Sequence, residues 1–138
     1  MAERIVVVVA LVALTVAAIV VARHWAARRA RSVQSAPPNW TALGAEPDGR
    51  RTLIAFSTPS CAACHQAQTP AIELAFRQLA DVRLIRVDAA QQPQAARAFG
   101  ILTVPSTVVL AAGGEHIVAV NQGFTPSARL VQQLQQAA

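Results

Sequence analysis

Hydrophobic positions along this chain take two forms: one unbroken run near the start, then short runs separated by polar and turn residues. The unbroken run is Ile5 to Ala22, 18 residues with twelve Val, Leu or Ile, five Ala and a single polar residue, Thr15. At about 1.5 Å rise per residue a helix over this run spans roughly 27 Å, close to the thickness of bilayer hydrocarbon. Each strongly apolar residue contributes about −0.3 to −0.6 kcal/mol at the membrane centre, so insertion is favoured by several kcal/mol. The run predicts a transmembrane helix. A cleaved signal peptide would instead need a short polar segment with small residues at the cleavage site. The run is succeeded by Arg23, His24, Trp25, Arg28, Arg29 and Arg31, a stop-transfer flank.

Residues 32 to 39 have no periodic apolar pattern and end in Pro37-Pro38-Asn39, which reads as a linker. The organisation is therefore an anchor with its basic flank at residues 1 to 31, a linker at 32 to 39, and one domain at 40 to 138. Thr52 to Phe56 is a short apolar run between Arg50-Arg51 and Ser57-Thr58-Pro59-Ser60, the pattern of a buried strand. Over residues 61 to 80, Ile72, Ala75, Phe76 and Leu79 recur at helical spacing, and Pro70 inside the segment predicts a kink. Val82 to Val87 reads as a second strand. Pro93 to Phe99 reads as a short helix opened by proline and followed by Gly100. Val104 to Leu110 and His116 to Val120 form a hairpin about Gly113-Gly114. Thr125-Pro126 supplies the N-cap and first-turn residue of a last helix with Leu130, Val131 and Leu134 on one face. Two strand-helix-strand crossovers predict parallel neighbours, with the hairpin as an antiparallel edge. The fold class is α/β, a mixed sheet of about four strands with helices on both faces.

Composition alters this picture in one respect. Mean hydropathy is +0.38 for 138 residues, and the excess lies in the first run. The net charge of +5 also divides unevenly. Residues 1 to 38 carry five Arg and Glu3, whereas residues 39 to 138 carry seven Arg and six acids. The domain is nearly neutral, so the sequence offers no nucleic-acid footprint. The basic cluster beside the apolar run suits anionic lipid head groups. One Arg precedes the run and four come after it, which by the positive-inside tendency predicts a cytoplasmic domain, with an extracytoplasmic domain as the alternative.

The only cysteines are Cys61 and Cys64, in Cys-Ala-Ala-Cys at the junction of the first strand and the helix after it. A helix N-terminus presents unpaired N–H groups and about half a positive charge, which stabilises a thiolate on Cys61. Lowering a thiol pKa from about 8.5 to about 7 raises its thiolate fraction at pH 7 from about 3% to about half. Cys61 would attack, and Cys64, one turn later and facing inward, would resolve the mixed disulfide. A zinc site fits poorly: beyond the two sulfurs only His65, His24 and His116 are available.

Several of these segments together resemble the thioredoxin fold over roughly residues 50 to 136. They are Leu53-Ile54-Ala55-Phe56 leading into Cys61-Ala62-Ala63-Cys64, Arg83-Leu84-Ile85-Arg86-Val87-Asp88, and Phe99-Gly100-Ile101-Leu102-Thr103-Val104-Pro105-Ser106-Thr107, closed by the Gly113-Gly114 hairpin. The resemblance implies that Pro105 is cis and faces the disulfide, and that the backbone of Val104 hydrogen-bonds extended substrate. It implies a membrane-tethered thiol-disulfide oxidoreductase that acts on protein disulfides and draws on an unidentified electron donor. No cofactor or metal is expected beyond the Cys61–Cys64 pair. In a cytoplasmic setting ambient thiols favour the reductase direction.

The chain departs from the family pattern at four places. Ala55 stands where the family has a buried Asp beneath the second cysteine, and Ser60 where a Trp usually precedes the first. Pro70 follows Cys64 by six residues, one more than usual, and the family's first strand is missing. Two other readings stay open. Cys61-Ala62-Ala63-Cys64-His65 fits c-type haem attachment with His65 as an axial ligand, although the only methionine is Met1. A redox-inactive binding module of the same fold is the other.

Overall fold

The computed structural model describes all 138 residues, the side chains of residues 30 and 33 excepted. The chain divides into two units, Met1–Ser32 and Val33–Ala138.

The first unit consists of a helix, α1 (Ala2–Ser35), whose last residues lie past the unit boundary. Its apolar side chains from Ile5 to Val21 are all exposed, and Ala2–Arg29 is long and apolar enough to cross a membrane. Thr15 Oγ1 donates to Leu11 O at 2.7 Å, so the one hydroxyl in the run is satisfied within the helix. The helix continues to Ser35, into the segment expected to be a linker, and stops before Ala36-Pro37-Pro38, where proline geometry excludes helical backbone.

The second unit is an α/β domain. Its elements are α2 (Trp40–Leu43), β1 (Arg51–Ser57), a π-helical turn (Cys64–Gln68) leading into α3 (Thr69–Phe76), β2 (Val82–Asp88), α4 (Pro93–Ala98), β3 (Ser106–Leu110), β4 (Ile117–Gln122) and α5 (Ser127–Gln136). The sheet has four strands in the order β2-β1-β3-β4. β1 is parallel to β2 and antiparallel to β3, and β3 and β4 form the expected hairpin.

The second crossover, expected to produce a parallel neighbour, does not. The reason is reach. From Ala62 to Phe76 the first connection is helical for about 22 Å, which matches the roughly 23 Å length of a seven-residue strand. α4 has six residues and spans only about 9 Å. It cannot return the chain to the starting end of the sheet, so β3 enters from the end where β1 and β2 finish and runs backwards. This brings the Cys61 loop and the Val104-Pro105 segment to the same edge: Phe56 pairs with Ser106, and Ser57 with Asp88.

Both faces of the central strands are covered, so β1 from Thr52 to Phe56 and all of β3 are buried continuously rather than at alternate residues. Ile54 and Phe56 point to one side with Phe99, Val108, Leu110 and Ile117. Leu53 and Ala55 point to the other, against Ile72 and Ala75 of α3 and Leu130 and Leu134 of α5. Full burial of each large side chain is worth about 1.5–3 kcal/mol. The Phe56 and Phe99 rings add a tilted contact, centroids 6.1 Å apart.

Two local features differ from expectation. The disturbance expected at Pro70 lies one turn earlier, in the π-helical turn, and Pro70 itself sits in the first turn of α3, where its missing N–H costs nothing. Thr69 N–H bonds Cys64 O, a span of five residues. The wide turn absorbs one residue and leaves room for the proline ring, which in an α-helix would press on the carbonyl four residues back. At α5 the cap is Pro126 rather than Thr125, and no side chain caps the helix; the Thr125 backbone is bonded to the Gln68 side chain instead.

Gly114 is needed for space. Its φ is +73°, and a Cβ there would lie 2.5 Å from Trp40 Cζ2 and 2.8 Å from Pro47 Cβ. Trp40 Nε1 donates to Gly114 O at 2.9 Å, which ties α2 to the hairpin.

Candidate active site

Cys61 follows β1 after the Thr58-Pro59-Ser60 turn, where its N–H donates to Thr58 O at 3.1 Å. The two cysteines form a disulfide, S–S 2.13 Å and Cα–Cα 5.3 Å. They are not equivalent. Cys61 is half-buried, whereas Cys64 is 3% exposed. The backbone N–H of Cys64 points at Cys61 Sγ, 3.1 Å away. An amide donor at the start of a helix stabilises negative charge on that sulfur once the disulfide opens. Cys61 is thus the more exposed of the two and the one that receives the amide donor.

The Val104–Pro105 peptide bond is cis. Pro105 is buried and Val104 half-buried. Val104 lines a cleft of about 300 Å³ together with Thr58, Leu102, Thr103 and Ala90. Ala89 and Ala96 also line it, so the cleft lies over the β2–α4 connection, between Thr58 of the turn before Cys61 and the Ile101–Val104 segment. Among the described residues none hydrogen-bonds to the Val104 N–H or C=O.

Ala55 is 6% exposed and lies between Arg86 of β2 and Thr107 of β3. The buried polar groups on its side of the sheet are neutral. Asn121 Nδ2 donates to Thr107 Oγ1 and to Gln133 Oε1, and Gln133 Nε2 donates back to Asn121 Oδ1, at 2.9 to 3.0 Å. Gln68, 3% exposed at the end of the π-helical turn, donates to Thr125 O and accepts from Thr125 N–H.

None of Gln68, Asn121 or Gln133 is apparent in the sequence, where glutamine and asparagine read as surface residues. The one available signal is position: Gln68 follows Cys64 by four residues, on the helix face that Cys64 shares with the core.

His65 is exposed, with Nε2 3.3 Å from Pro59 O, and His116 is exposed in the β3–β4 connection. The two sulfurs beside His65 are bonded to each other, the arrangement of a redox disulfide. Among the described residues no group of His, Cys, Asp and Glu forms a metal site.

A half-exposed sulfur and a buried one, joined at the start of a helix that follows a central strand, with a cis-proline segment at the same sheet edge, define a thioredoxin-type redox centre. The thioredoxin family model matches residues 34–136, and the chain belongs to the thioredoxin family. Among solved structures it is similar to thioredoxin-2 of the malaria parasite, at 19% identity over 67% of this chain and 88% of that one, TM-score 0.59. A thioredoxin from Halobacterium salinarum is 26% identical over 65% and 76%, TM-score 0.57. Mitochondrial thioredoxin 3 of Saccharomyces cerevisiae is 18% identical over 70% and 85%, TM-score 0.57. No curated protein matches the chain. Fold, family and disulfide together support thiol-disulfide oxidoreductase activity.

Proposed function

We propose that this chain is a membrane-tethered reductase of protein disulfides. The observation that carries the chemistry is the Cys64 N–H aimed at Cys61 Sγ, with Cys61 reachable from solvent and Cys64 buried behind it. In the reduced protein the Cys61 thiolate attacks one sulfur of a substrate disulfide. That S–S bond breaks, the departing substrate thiolate takes a proton, and a mixed disulfide forms. Cys64 gives up its proton and attacks Cys61 Sγ, which releases the second substrate thiol and closes the Cys61–Cys64 disulfide. Two electrons have passed to the substrate, and an external dithiol donor restores the starting state. The backbone of Val104 binds extended substrate beside Pro105, a role supported by its lack of a protein partner and its place on the cleft.

Tethering rests on the apolar length of Ala2–Arg29, and the four arginines after the apolar run favour a cytoplasmic domain, where glutathione-level thiols favour reduction. The test uses the full chain in detergent micelles with insulin as substrate and dithiothreitol as donor. Wild type is expected to precipitate the insulin B chain, Cys61→Ser to be inactive, and Cys64→Ser to accumulate mixed disulfides. A Cys64→Ser protein that folds and traps nothing refutes the mechanism. Labelling of the reduced cysteines in intact cells by a membrane-impermeant thiol reagent refutes the cytoplasmic placement.

A further inference from the structure

Between Ile101 and Pro105, both buried, the chain belongs to no helix or strand, and Leu102 and Thr103 face solvent. Apolar packing fixes this segment at Ile101, at Pro105 and in part at Val104, but not at Leu102 or Thr103. Its middle is held by two side chains, buried Ser106 and exposed Gln122 from the neighbouring edge strand. Gln122, the last residue of β4, stands in register with Ser106. Its Nε2 donates to Gly100 O at 2.8 Å, and its Oε1 accepts from Leu102 N–H at 3.1 Å. Ser106 Oγ lies 3.3 Å from the same Oε1 and donates to Thr103 O at 2.7 Å. A glutamine amide has two donor and two acceptor sites, and an exposed one ordinarily spends them on water. Here one donor and one acceptor are directed at the backbone on either side of Ile101.

We infer that Gln122 is a positioning residue for substrate recognition, fixing the Gly100–Thr103 backbone so that the Val104 N–H and C=O face the cleft ready to pair with an extended polypeptide. The inference rests on the proposed docking role of Val104. Gln122 touches neither sulfur, so it acts on recognition of a peptide chain and leaves thiol chemistry alone. A substrate without a peptide backbone is indifferent to it.

The experiment compares wild type and Gln122→Ala, each as the full chain in detergent, on insulin with dithiothreitol as donor and, as pre-reduced protein in a single turnover without added dithiothreitol, on a small aromatic disulfide, 5,5′-dithiobis(2-nitrobenzoate). Expected for Gln122→Ala is a rise of about tenfold in KM for insulin with kcat held, the signature of lost ground-state binding. The rate on the small disulfide and the Cys61–Cys64 reduction potential stay at wild-type values, and amide exchange at Leu102 accelerates. Gln122→Glu keeps the acceptor side but loses the donor to Gly100 O, and is expected to fall between the two. Equal losses on both substrates, or a shifted potential, would show a merely structural role and overturn the inference. So would an unchanged insulin KM alongside accelerated Leu102 exchange. If wild type reduces neither substrate, the functional reading itself fails; if wild type reduces both and Gln122→Ala matches it on both, only the role of Gln122 is lost.

Discussion

Replacing Gly114 by alanine, beside the same replacement at Gly113, separates the two reasons a protein needs glycine. Both residues have positive φ, +73° at Gly114 and +87° at Gly113, but a Cβ at Gly113 meets nothing within 4 Å whereas at Gly114 it meets Trp40 and Pro47. A left-handed alanine costs about 1–2 kcal/mol at either site. At Gly114 the indole must also move, and the hydrogen bond from Trp40 Nε1 contributes about 1 kcal/mol. Displacement of Trp40 from Leu43 and its neighbours adds more, so Gly114→Ala is expected to exceed Gly113→Ala by about 2 kcal/mol, a typical size for a packing defect. With urea m-values of about 1–3 kcal/mol per molar, the midpoints of the domain's unfolding, followed by tryptophan fluorescence, should differ by roughly 1 M. The turn joins the end of β3 to the start of β4, away from the sheet edge that carries the disulfide. Disulfide reduction per folded molecule is therefore expected to be unchanged in both variants. Coincident midpoints would refute the contact argument, and a loss of specific activity in the folded fraction would refute the separation of turn and site.

The polar groups support further expectations. Gln68→Leu leaves the buried Thr125 N–H and C=O without partners and is expected to destabilise the domain by about 2–4 kcal/mol, measurable as a lower urea midpoint. Asn121→Leu breaks the Thr107–Asn121–Gln133 set and is expected to cost about 1–3 kcal/mol by the same reasoning. Asp48 is held below its ordinary pKa of 3.8 chiefly by the side-chain hydrogen bond from Arg50, then by the Arg50 backbone N–H. A depressed carboxylate stabilises the fold above the unfolded value and loses that contribution as pH falls through the folded one. Asp48→Asn is therefore expected to flatten the acid limb of the stability curve below about pH 4 and to leave neutral stability nearly unchanged, since the pair is exposed.

Much of the domain is legible because its signals are local. The strand at Thr52 to Phe56 is bounded by charge on one side and turn residues on the other, and the structure extends it by one residue each way. α4 begins at the proline that marks it. The cysteine pair needs only its place between a strand and a helix. The features that escape a reading of the sequence are non-local. The direction of β3 depends on how far α4 can carry the chain, and α4 looks like any short helix until its length is set against β2. Gln68, Gln122 and Asn121 have side chains that suit water or interior alike, and only the fold decides which. Gly114 is visible as a turn residue, but its crowding by Trp40 joins positions 74 residues apart.

The π-helical turn after Cys64 gives the domain a tolerance of its own. Because the additional residue is contained within a single widened loop of backbone, Ile72 and Ala75 reach the sheet at the angle a shorter segment would also give them. A chain shortened by one residue between His65 and Ala67 could tighten that loop to ordinary pitch without rotating α3 on its bed. Variation in the length of this stretch would fall on the turn that carries Cys64 and Gln68 before it reached the packing of α3.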